Sequence, residues 1–64
     1  MLSKNDYQGY LNQIVGLERK MSLVYKDCAK NTEDERIKKT CGGLSIAEER
    51  HAVMVQELAG LLTF

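Results

Sequence analysis

The chain has 64 residues, nine Lys+Arg against nine Asp+Glu, one His, two Cys and no Pro, which is room for a single domain over residues 1–64, near the lower size limit for folding alone. A formal net charge of zero with both signs interleaved provides no electrostatic footprint for nucleic acid or an anionic membrane surface, and no apolar run approaches bilayer-spanning length. Two cysteines without metal-finger spacing are too few for a disulfide scaffold; with no apolar leader after Met1-Leu2-Ser3-Lys4, the expectation is a cytoplasmic protein with reduced thiols and neither nucleic acid nor membrane as a partner.

Taken in chain order, the first helix is expected over about residues 4–30. Ser3 is placed to cap it, and Asp6 puts negative charge in its first turn. The break falls in Asn31-Thr32-Glu33-Asp34-Glu35, where Thr32 and Glu35 have capping-box spacing. A second helix is expected over about residues 33–62. Each helix would be roughly 40 Å long at 1.5 Å per residue, and the short turn folds them into an antiparallel hairpin. The fold class is therefore all-α.

The apolar pattern is regular. In the first helix Tyr7, Leu11, Ile14, Glu18, Met21, Tyr25 and Cys28 follow alternating steps of four and three; in the second Ile37, Cys41, Leu44, Glu48, His51, Val55, Leu58 and Leu62 do the same. Tyr10, Leu17 and Val24 widen the first stripe, and Ala47, Met54 and Leu61 the second. Two helices cover only part of faces this wide, so the hairpin is expected to pair with a second copy as a homodimeric four-helix bundle.

Three ionisable residues interrupt these stripes: Glu18, Glu48 and His51. Buried carboxylates need compensation. Folding the hairpin about its turn puts Glu18 level with Glu48, with His51 one turn away on the face of Glu48. One Glu on one helix and Glu-x-x-His on the other is half the ligand set of a di-metal carboxylate bundle, and a dimer supplies the whole. Four carboxylates balance two divalent ions. Oxygen and imidazole donors suit two iron ions per dimer, with manganese or zinc as substitutes, and the lack of thiolate argues against a structural zinc.

The residues Glu18 and Tyr25 with Ala47-Glu48-Glu49-Arg50-His51-Ala52 resemble the ferritin-like superfamily, closest to rubrerythrin-type and encapsulated-ferritin half-bundles, over about residues 11–62. The resemblance implies a ferritin-like four-helix bundle carrying a di-iron ferroxidase site between two subunits. Glu18, Glu48 and His51 would be its catalytic metal ligands, and Tyr25 would hydrogen-bond a ligand carboxylate. It also admits packaging in a protein shell, although the chain closes on Leu61-Leu62-Thr63-Phe64 without a targeting tail. The additional Glu and paired Cys-x-x-Cys of rubrerythrins are not evident, so peroxide reduction through an internal donor is not expected.

Other readings of the same residues remain open. The Glu/His cluster would also serve a non-enzymatic dimeric interaction module, fixing its register. Gly42-Gly43 would end the second helix, with Ser45 and Glu48 as the capping box of a third, as in a small DNA-binding or adaptor domain. Cys28 and Cys41 read as separate small hydrophobes, about a turn apart in height. Leu23, Ile46 and Val53 lie off the stripes, and the seven-residue spacing of the last two suggests contacts between dimers.

Overall fold

With no proline to interrupt them, the two helices run almost the whole length of the chain. In a computed structural model that describes residues 2–62, α1 spans Lys4–Asn31 and α2 spans Glu35–Leu61, with no strand among the described residues. They form an antiparallel hairpin of 47 × 15 × 14 Å.

The caps explain where each helix begins. Ser3 Oγ accepts from the Asp6 N–H at 3.1 Å while the Asp6 carboxylate accepts from the Ser3 N–H at 3.0 Å, so two otherwise orphaned donors are satisfied reciprocally. These bonds hold the Asp6 carboxyl below its ordinary range. The second cap differs from the expected one. Thr32 terminates α1 instead, its N–H donating to Cys28 O at 3.0 Å, and Asp34 caps α2 by accepting from the N–H groups of Arg36 and Ile37 at 2.8 and 3.1 Å. A backbone already closing one helix is not free to open the next, so α2 starts two residues later than the capping-box spacing indicates. Replacing Asp34 by Ala is expected to cost about 1 kcal/mol in unfolding free energy, measured as a lowered urea midpoint with unchanged slope.

The glycine pair does not break α2. The helix passes through Gly42-Gly43 without positive φ, and Ser45 caps nothing, because its hydroxyl donates to Ser22 O in α1. The flanking residues Cys41 and Ser45 are both buried against α1; packing on either side of the glycines offsets their low propensity of about 1 kcal/mol each. The three-helix reading is thereby removed. A Cβ added at either glycine would meet nothing within 4 Å, so they do not serve close approach within the hairpin.

The line of contact between α1 and α2 lies beside the expected one. Its buried residues are Val15, Ser22, Cys41, Ser45, Ala52 and Ala59, mostly small, in the seven-residue and four-residue steps of a helix seam. Leu11, Glu18, Tyr25, Glu48 and Val55 flank it half-buried. Tyr7, Ile14, Ile37, Leu44 and Leu58, expected on the seam, are exposed, as are Tyr10, Leu17, Val24, Met54 and Leu61. Small residues let the backbones come close enough for serine hydroxyls to reach across. Ser22 Oγ lies 3.1 Å from Ser45 O and 3.0 Å from Ser45 Oγ, while Ser45 Oγ donates to Ser22 O at 3.1 Å. With both serines no more than 3% exposed, this clasp satisfies buried hydroxyls and fixes the register.

Candidate metal centre

The serine clasp determines what lies one turn above it. In an antiparallel pair, one turn before Ser22 on α1 and one turn after Ser45 on α2 stand at the same height, and those positions are Glu18 and Glu48. His51 follows Glu48 by three residues, one turn further along the same face. Ligand atoms of Glu18, Glu48 and His51 all lie within 4.8 Å of one another. Donors bound to a common ion at about 2.0–2.2 Å can be at most about 4.4 Å apart, so small side-chain rotations bring the three onto one cation.

The burial of the three is graded. Glu18 and Glu48 are half-buried at the edge of the seam, and His51 is exposed, as are Leu17 and Met54. Glu18 Oε2 is shut off from solvent and has no hydrogen-bond partner. A carboxylate oxygen stripped of water and left without a donor is costly; a cation or a donor from outside the hairpin is what its position lacks. The donor set of two carboxylates and one imidazole fits a hard to borderline divalent ion such as Fe(II), Mn(II) or Zn(II).

Tyr25 is half-buried two turns after Glu18 on α1. That spacing corresponds to about 10 Å along the helix, and no hydrogen bond from Tyr25 reaches the buried Glu18 Oε2.

Glu49, next to the candidate ligand Glu48, faces away from the centre. Its carboxylate pairs with the Lys26 ammonium and accepts from Ser22 Oγ at 3.3 Å. The Lys26 charge and hydrogen bond hold the Glu49 carboxyl below its ordinary value, and the Ser22 bond adds to this. The Glu48-Glu49-Arg50-His51 run is thus divided by helical phase: Glu49 ties α2 to α1 on one side while Glu48 and His51 converge with Glu18 on another. Arg19, Leu23, Glu49 and Val53 line a shallow outer groove over Ser22 and Ala52.

Sequence periodicity did not single out the serine clasp. The sevenfold spacings of Val15 to Ser22 and of Ser45, Ala52 and Ala59 carried its signal, as a stripe of small residues beside the larger apolar one. No helix among the described residues is long and apolar enough to cross a membrane. Comparison of the chain with protein-family models, with curated proteins and with solved structures finds no match.

Proposed function

We propose that the hairpin pairs with a second copy into a ferritin-like four-helix bundle that holds two divalent metal ions between the subunits and oxidises Fe(II), for iron storage or detoxification. The observation that carries this reading is the buried, unpartnered Glu18 Oε2 beside Glu48 and His51. One hairpin supplies half of a di-metal carboxylate ligand set, and two-fold pairing completes it. The four carboxylates from two chains match the charge of two divalent ions.

In this reading Glu18 and Glu48 bind and neutralise the metal, and His51 adds a neutral imidazole from the edge facing the second hairpin. Iron(II) is the substrate, giving up one electron per ion to a dioxygen or peroxide oxidant. Apolar side chains of the second hairpin, packed over Leu17 and Met54, exclude bulk water and strengthen the charge interactions inside. Tyr25 positions a ligand carboxylate.

Anaerobic titration with Fe(II) followed by native mass spectrometry tests the proposal. The expected species is a dimer, or a multiple of one, carrying two irons per pair of chains. A dimer whose mass and stability do not respond to Fe(II), Mn(II) or Zn(II) overturns it in favour of a metal-free interaction module. The exposed apolar face supports that second reading as well, with the Glu/His cluster fixing register.

A further inference from the structure

Cys28 and Cys41 do not stand a turn apart as separate hydrophobes. Relative to the Ser22–Ser45 clasp, Cys28 lies six residues on along α1 and Cys41 four residues back along α2, which at 1.5 Å per residue leaves their heights differing by only about 3 Å. Both face the seam, Cys41 buried and Cys28 half-buried. The clasp shows that the backbones approach closely at Ser22 and Ser45, one to two turns from the cysteines; a disulfide requires the same of its two Cα atoms. Cys28 lies near enough to push the Cys41 thiol up.

We propose that Cys28 and Cys41 form a redox-active dithiol, closing to an intramolecular disulfide across the turn end of the hairpin with a low-molecular-weight disulfide such as oxidised glutathione as oxidant. The oxidant reaches the more exposed Cys28 first, and buried Cys41 follows. The Cys28 thiolate attacks one sulfur of the oxidant; that S–S bond breaks and one glutathione thiolate leaves. Cys41, deprotonated to solvent, then attacks the Cys28 sulfur, forming the intrachain bond and expelling the second glutathione thiolate. Two electrons pass from the protein to the oxidant, and the two thiol protons end on the released glutathiones. Closing this short loop restricts the unfolded chain, which couples the hairpin's stability to redox poise without involving Glu18, Glu48 or His51.

The test equilibrates the metal-free full chain anaerobically in glutathione redox buffers, quenches with acid, alkylates with iodoacetamide and reads intact mass. The expected product has lost the mass of two hydrogens, takes up no label, migrates as a single chain without reductant, and melts at a higher temperature until dithiothreitol reverses the change. Cys41→Ala should stop at a glutathione adduct on Cys28, which packing alone does not produce. Two alkylated cysteines after equilibration, adducts on both sulfurs without closure, or a disulfide between chains would each overturn the proposal. The wild-type readout decides even where the variant fails to fold.

Discussion

Replacing Glu48 by Ala is expected to abolish stoichiometric metal binding while leaving helicity intact. Glu48 is half-buried at the seam edge in mid-α2, where Ala is the better helix former, and its loss removes one of two anionic donors per chain. Alteration of groups that merely orient metal ligands costs 10- to 100-fold in affinity, so loss of a ligand should weaken binding by at least about 100-fold. In the wild type, metal at 100 times its dissociation constant should stabilise the fold by about 2.7 kcal/mol. That gain should vanish in the variant. Thermal melts with and without Mn(II), together with circular dichroism of the apo protein, make the measurement. Undiminished iron in a folded Glu48→Ala dimer would remove Glu48 from the ligand set.

Leu17→Asp should have the largest effect on assembly. Within one hairpin Leu17 is 59% exposed, and a polar substitution at such a position ordinarily changes stability by no more than about 0.5 kcal/mol. In a four-helix bundle the same residue lies between hairpins, where truncation alone costs about 2–5 kcal/mol and an unpaired carboxylate costs more. The hairpin has little stability of its own to absorb this loss. Among the described residues the buried ones are four small or medium apolar side chains and two serines, while Tyr10, Ile14, Leu17, Val24, Leu44, Met54, Leu58 and Leu61 remain exposed. Sedimentation velocity and concentration-dependent urea unfolding should show a dissociated, largely unfolded Leu17→Asp chain. Leu23→Asp is the control, since Leu23 is equally exposed at 64% but lies off the apolar stripe. A Leu17→Asp protein as stable and as dimeric as that control would rule out the proposed interface.

Chain chemistry alone determined the two helices, the position of the turn and the cap at Ser3, because each depends on neighbours only three or four residues away. Absence of proline and the spacing of Ser3 to Asp6 sufficed. Helical phase also placed Glu18 on one apolar stripe and Glu48 and His51 on the other, and the short turn set them at similar heights.

Only the tertiary structure decided which stripe faces the partner helix. Two adjacent stripes on each helix share the same alternating three-and-four spacing, so periodicity cannot rank them, and hydrophobicity favours the one rich in Leu, Ile and Tyr. Close packing chose the other. Ser22 and Ser45 gain a reciprocal hydrogen-bonded clasp only when the backbones nearly touch, and Val15, Ala52 and Ala59 are small enough to allow it. The same approach sets the register that puts Cys28 and Cys41 at similar heights, and burial of Cys41 and Ser45 supports a continuous α2 across Gly42-Gly43. Asp34 displaces Thr32 as the cap of α2 for a related reason, since Thr32 is already committed to the end of α1. In each case the competition is between distant or already engaged groups, and its outcome depends on a geometry that exists only once both helices are in place.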